Sequence, residues 1–193
     1  MAASPTARKI IEAARRFLHE EGADAVTMRR VARSVGITPM AVYRHYADHA
    51  ALLNALADDG FDELASRLAR IPSAGGVETR LARILDVFLK HALENPRLFE
   101  LMFLKARQGA RRYPNDFKAR RSPTANPAAG LIQEGMTSGH FRRDDAWEIS
   151  FAMGALLQGL IMLYLGGRLD MSEARFRALC HRSLRRYING IRN

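Results

Sequence analysis

The side chains best suited to do chemistry lie between Thr27 and Tyr46. Thr27 and Arg29 precede a Gly36-Ile37 step, and Thr38, Pro39, Met40, Ala41, Tyr43, Arg44 and His45 follow it. Hydroxyl, guanidinium and phenol groups gathered over one short stretch suit hydrogen bonds to phosphate oxygens and base edges. His45 and His49 are four apart, the spacing of two metal ligands on a helix, with Asp48 beside them. No third ligand of suitable spacing follows, so no metal is expected. The chain has no Gly-x-Ser-x-Gly elbow, no phosphate loop and no His-Glu-x-x-His, so neither a catalytic residue nor a cofactor is expected.

The elements that must position these groups can be read from the same residues. Met28, Val31, Ala32 and Val35 follow the i, i+3, i+4, i+7 template of an amphipathic helix. Thr27 precedes them as an N-cap, and Gly36 ends them where a turn needs φ > 0. Thr38-Pro39 is a second cap followed by proline at the first helical position, opening a short helix to about Tyr46. Ile37 and Val42 can seat that helix in a core. Thr38, Pro39, Met40, Ala41, Tyr43 and Arg44 are then left to face outward. This is a helix-turn-helix pattern, whose second helix can enter a major groove with its N-terminal residues against base edges.

Residues 27–46 and their surroundings resemble the TetR family of transcriptional regulators. The resemblance rests on Thr27, Arg29, Val31-Ala32, Gly36-Ile37-Thr38, Val42-Tyr43, His45-Tyr46 and Leu52, and covers about residues 8–55. It implies phosphate contacts from Thr27, Thr38, Tyr43 and His45, with Arg29 and residues 38–44 as base-reading candidates. Tyr46 stands where the family usually has Phe. His49 stands where it usually has Lys, which puts one phosphate contact in doubt or makes it depend on pH near the histidine range.

Outside this stretch the periodicity is helical nearly throughout, with no convincing strand alternation. A first helix runs between Pro5 and Gly22, and a long one from an Asp48 cap to about Ile71. Pro72 to Gly76 reads as the clearest linker, and Gly166-Gly167 as an ordinary turn. An amphipathic helix closed by Asn95-Pro96 follows, then a shorter one through Phe103. Residues 105–121, with seven cations and only Asp116 against them, read as a long solvated loop. Further helices are expected at about 124–138, 144–166 and 172–190. The expected fold is all-α, with about nine helices. The resemblance implies a DNA-binding domain over residues 1–50, with the start of the fourth helix as connector, and a regulatory and dimerisation domain over residues 51–193.

Lys and Arg number 30 against 20 Asp and Glu, a net charge of +10. Such a balance points to nucleic acid, an acidic membrane surface or an acidic protein as partner. Only four of the cations are Lys, a bias that a GC-rich genome explains as well as function does. Cys180, the single cysteine, excludes an internal disulfide and any Cys-based zinc site and fits a reducing compartment. It reads as an inert helical thiol rather than a redox sensor, since no second cysteine can resolve it. The short, polar stretch Met1–Lys9 does not read as a secretion signal.

Ile149–Leu165 holds only Ser150 and Gln158 as strongly polar residues over 17 positions. That is at the low edge of a membrane span. A helix apolar all round also suits a protein centre or a subunit interface, which is the reading preferred here. The final helix adds Phe176, Cys180, Leu184, Tyr187 and Ile191 at helical spacing, so these last two helices are the expected homodimer surface. Asn95–Phe103 and Leu157-Gln158-Gly159 weakly resemble a common TetR C-terminal subfamily. Candidates for an effector pocket are Phe88, His91, Phe99, Met102, Phe103, Met136, Phe151 and Gln158. Taken singly, each is better explained by core packing, and His91 equally by solvent exposure. The whole reads as a cytoplasmic, homodimeric, ligand-responsive repressor, not an enzyme. It would bind a pseudo-palindromic double-stranded DNA operator and a small apolar or amphipathic effector, and no membrane. The alternative is a basic all-α membrane-surface or protein-interaction protein.

Overall fold

A computed structural model of the chain describes residues 4–107 and 109–193; Met1–Ala3 and position 108, which fall in two of the stretches read above, lie outside them. Among the described residues there are ten α-helices and no β-strand. They are α1 (Pro5–Glu21), α2 (Met28–Val35), α3 (Pro39–Tyr43), α4 (His49–Ala69), α5 (Val77–Glu94), α6 (Pro96–Phe103), α7 (Asn115–Lys118), α8 (Asn126–Thr137), α9 (Ala146–Leu165) and α10 (Glu173–Asn189). The starts follow local chemistry. Ser4, Thr27, Thr38, Asp145 and Ser172 cap their helices through side-chain oxygens, and Asp48 accepts the Ala51 N–H at 2.7 Å.

The chain forms two compact units. One comprises Met1–Glu63 and Asn95–Ala110, the other Leu64–Glu94 and Arg111–Asn193. The packing therefore does not divide at residue 50: the first unit keeps α4 as far as Glu63 and takes in α6. The units differ in charge. The first holds eleven basic and ten acidic residues, the second nineteen and ten. Nearly all of the +10 excess thus belongs to the second unit.

In the first unit, Ile10, Ala14 and Leu18 of α1 are buried together with Val31 and Ala32 of α2, Val42 of α3, Leu52, Leu56 and Phe61 of α4, and Phe99 and Met102 of α6. Arg15 of α1 pairs with Asp59 at 2.6 Å and with Glu63, both on α4. In the second unit, α5 packs on α8, α9 and α10, and α9 packs on α8 and α10. Leu81, Leu85, Leu89, Ile132, Met153, Leu157, Ile161, Phe176, Cys180 and Leu184 fill its core. Glu78 of α5 accepts Arg192 at 2.7 and 2.6 Å and lies 2.7 Å from His140. The guanidinium holds this carboxyl below the usual carboxylate range.

Three expectations need correction. Residues 105–121 are not simply a long loop, because contacts distant in sequence fold the second half of the stretch. Asp116 accepts the Arg112 N–H at 2.7 Å, α7 makes one turn, and Tyr113 stacks on Phe151 of α9 at 4.4 Å. The apolar stripe of α10 is used within the chain: Phe176, Cys180 and Leu184 are buried, Tyr187 is half-buried with its hydroxyl donating to the Ile149 carbonyl at 2.9 Å, and Ile191 lies beyond the helix end. Burial pushes the Cys180 thiol up to about 11. His91 is fully buried in α5 rather than solvated.

Gly135 marks the closest approach in the second unit. A Cβ there would lie 2.3 Å from the ring of Phe141, which is itself fully buried. Gly135→Ala should therefore destabilise the protein by about 1–3 kcal/mol, the usual cost of overpacking. Gly130→Ala on the same helix meets nothing within 4 Å and should be neutral or stabilising. Thermal denaturation of both variants checks this, and equal midpoints would contradict it.

Candidate nucleic-acid interface

α3 has five residues, too few to be helical alone. It is held at its start and from beneath. Thr38 Oγ1 accepts the Ala41 N–H at 3.2 Å, Pro39 presets φ at the first helical position, and Val42 is fully buried. The preceding turn depends on Gly36, whose φ is +74°. A Cβ at Gly36 would meet no atom within 4 Å, so the constraint is backbone conformation and not space. The Ile37 N–H closes the turn on the Ala32 carbonyl at 3.0 Å, the pattern of a left-handed helix C-cap. Thr27 Oγ1 accepts the Arg30 N–H at 3.3 Å and caps α2.

Adjacent arginines on α2 have different tasks. Arg30 forks onto Glu21 at 2.9 and 2.6 Å and lies over the Phe17 ring at 4.5 Å. Its hydrogen bonds hold the Glu21 carboxyl below the usual range. Arg16 donates to Ser34 Oγ at 2.6 Å, a second tie between α1 and α2. Arg29, Arg33 and Arg44 are exposed and have no ion-pair partner among the described residues. Arg33 was not among the sequence candidates. Its signal was the i+4 spacing from Arg29, which puts both on one side of α2.

The predicted contact residues all lie in the first unit. Thr27, Arg29, Thr38, Pro39, Met40, Tyr43, Arg44, His45 and His49 are exposed, and Ala41 is half-buried. Met40 is 65% and Tyr43 46% exposed, unusual for large apolar surfaces on so short a helix. No group of three metal-ligating residues exists among the described residues.

The two family models that match the chain describe bacterial regulatory proteins of the tetR family, over residues 10–56, and a tetracyclin repressor-like C-terminal domain, over residues 81–187. The second alone spans more than half of the chain. The chain belongs to the TetR family. A TetR-family protein is a DNA-binding transcriptional regulator, and α2 and α3 of this one lie within the matched N-terminal helix-turn-helix region.

An HTH-type transcriptional repressor of Mycobacterium tuberculosis is 33% identical over 75 residues, 39% of this chain and 40% of the relative. The match thus spans well under half of that repressor's length. A Rhodococcus protein of unknown function has the same fold, with a TM-score of 0.81 at 24% identity, covering 99% of this chain and 97% of the other. The transcriptional regulator FadR of Bacillus subtilis, solved in complex with stearoyl-CoA, gives a TM-score of 0.75 at 17% identity, covering 95% of this chain and 98% of the other. At these identities the solved structures establish the fold alone.

The candidates for an effector pocket in this TetR-family chain divide between the units. Phe99, Met102 and Phe103 belong to the first, and Phe88, His91, Met136, Phe151 and Gln158 to the second. Phe151 lies on the outer side of α9, 44% exposed, with Tyr113 and Phe117 against it. A groove of about 380 Å³ within the second unit is lined instead by Leu68, Ile71, Ile84, Pro127 and Leu131, with Arg80 and Glu134 paired at 2.7 Å on its rim.

Arg30→Ala should reduce stability, by removing the fork that ties α2 to the end of α1. Arg29→Ala should leave stability unchanged and flatten base preference by about 1–3 kcal/mol at particular pairs. Thermal denaturation and a selection on random duplexes separate the two. An Arg29→Ala protein that retained the full wild-type preference would remove Arg29 from the reading set.

Proposed function

We propose that this TetR-family protein is a homodimeric, ligand-responsive repressor that binds a pseudo-palindromic operator in the cytoplasm. Residues 1–50 read DNA, with the start of α4 as connector, and residues 51–193 dimerise and respond to an effector. The observation that carries this reading is the unpaired polar face of α2 and α3, supported on a buried Val42 and on the Arg30–Glu21 fork. In this reading Thr27, Thr38, Tyr43, His45 and His49 contact phosphates. Pro39, Met40 and Ala41 at the N-terminal part of the reading helix lie against base edges, with Arg29 from α2 and Arg44 from just beyond the end of α3.

The outward side of α9 supports the dimer. Phe151, Leu156, Met162, Leu163 and Leu165 are exposed there, a contiguous apolar surface of the kind that a subunit interface covers. α9 is also the one helix among the described residues long and apolar enough to cross a membrane. A soluble dimer in the absence of detergent would decide for the interface. The effector reading is a small apolar or amphipathic molecule, supported by the stearoyl-CoA of the Bacillus subtilis relative in fold. Operator release on titrating such molecules into the bound dimer tests it.

Operator binding by the wild type, lost in Tyr43→Ala with the dimer intact, would support the phosphate reading; unchanged binding would refute it. Position 49 makes a sharper case, because the family usually carries Lys there. If it faces a phosphate, the fixed cation of His49→Lys should bind the operator more tightly and steepen the salt dependence. Unchanged affinity and salt slope in His49→Lys would show that position 49 makes no phosphate contact.

A further inference from the structure

The second unit carries its charge asymmetrically on the two helices that offer the dimer surface. The outward side of α9 follows a 4-3-4-3 spacing through Glu148, Ala152, Ala155, Gly159 and Met162, all on the side away from the buried Ile149, Met153, Leu157 and Ile161. The outward side of α10 carries Arg175, Ala178, Arg182 and Arg185, opposite the buried Phe176, Cys180, Leu184 and Ile188. Arg186 flanks the same strip. None of Arg175, Arg182, Arg185 and Arg186 has an ion-pair partner among the described residues, and neither has Glu148. Of the neighbouring acids, Asp145 pairs with Lys118 at 2.6 Å and Glu173 with Arg177 at 2.8 Å, while the exposed Asp144 accepts the Asp145 N–H at 2.7 Å and precedes α9 rather than lying on its outward side.

The axial positions are fixed by two contacts. The Tyr187 hydroxyl donates to the Ile149 carbonyl at 2.9 Å, and the Tyr164 and Phe176 rings stack at 4.1 Å. α9 and α10 are therefore antiparallel, with Glu148 and Arg185 at the same end. Two copies meeting through this surface have two simple two-fold arrangements. With the axis across the helices, α10 lies on the partner's α10, and the two arginine strips face one another. With the axis along the helices, α9 lies on the partner's α10 and like ends stay together. The first opposes cations to cations, which costs free energy. The second sets Glu148 level with the arginines at the end of α10, and the small Ala152, Ala155 and Gly159 against their long stems.

Resting on the dimer reading above, we propose that Glu148 pairs with Arg185 of the partner subunit, twice per dimer, and that this pairing sets which helix meets which. The occupant of the α9–α10 face is a second copy of this chain, selected by charge as well as by apolar area.

Charge reversal tests it. Exposed pairs are individually weak, but each reversal replaces two attractions with two repulsions. Glu148→Arg and Arg185→Glu should therefore each weaken dimerisation about tenfold or more, measured by sedentation-independent methods such as light scattering across a dilution series. The double substitution within one chain should restore it. Mixing the two single variants should restore it as well, as a heterodimer, because both pairs then become complementary across the interface. Thermal midpoints of the single variants at fixed monomer level separate a folding defect from lost association, and rescue on mixing excludes one outright. Wild-type affinity in both single variants would overturn the pairing, as would mixtures that remain monomeric. A monomeric wild type would overturn the dimer reading itself and the pairing with it.

Discussion

A helix of five residues cannot sustain itself in water, and α3, proposed above as the reading head, is such a helix. Nucleating a turn fixes several dihedrals for one hydrogen bond, so α3 exists only because its surroundings fix it. Gly36 supplies the left-handed step that turns the chain, the Thr38 hydroxyl satisfies an N–H at the helix start, and Val42 anchors the underside. α2 must in turn be immobile, and the Arg30 fork onto Glu21 with Phe17 beneath it serves that purpose. The apolar and cationic surfaces of Met40, Tyr43, Arg29 and Arg44 can stay exposed because other residues carry the fold.

The division of charge changes what the basic composition means. A net +10 suggests a chain drawn to nucleic acid as a whole. Yet the unit that contains the reading head is close to neutral. Several of its arginines are taken up by carboxylates: Arg15 by Asp59 and Glu63, Arg30 by Glu21, Arg107 by Asp58. In the proposed reading, attraction to DNA then rests on a few placed cations, with correspondingly few counterions to release. The excess in the second unit is concentrated in residues 111–121 and in α10 with its flanks, and composition alone could not distinguish these locations.

What the sequence made legible was local. Caps at Thr27, Thr38, Asp48 and a glycine at position 36 each act within four residues, and the structure places all of them as expected. The outward set from Thr38 to Arg44 followed from the same short-range logic. Less legible were choices between partners. Periodicity in α10 showed that Phe176, Cys180 and Leu184 share a face, but a face suited to burial looks the same whether its own chain or a second copy covers it. The folded part of residues 105–121 depends on Phe151, more than thirty positions away from Tyr113. Spacing along one helix does not say which unit a residue packs in, and the pocket candidates fall in both units.

α9 shows how these limits combine. Its sequence is apolar around most of its circumference, so no single stripe stands out and periodicity alone cannot assign an inner side. The structure does so: Ile149, Met153, Leu157 and Ile161 face the core, while Phe151, Leu156, Met162 and Leu163 do not. Leaving such an area in water is unfavourable by roughly 25 cal/mol for each Å² of apolar surface, yet apolar area has no direction and cannot select an arrangement. On a helix pair whose other half presents Arg175, Arg182 and Arg185 outward, the selection of arrangement in the proposed dimer falls to charge. A single acid at the correct end of α9 is then worth more for specificity than for affinity, because it distinguishes arrangements that bury similar areas.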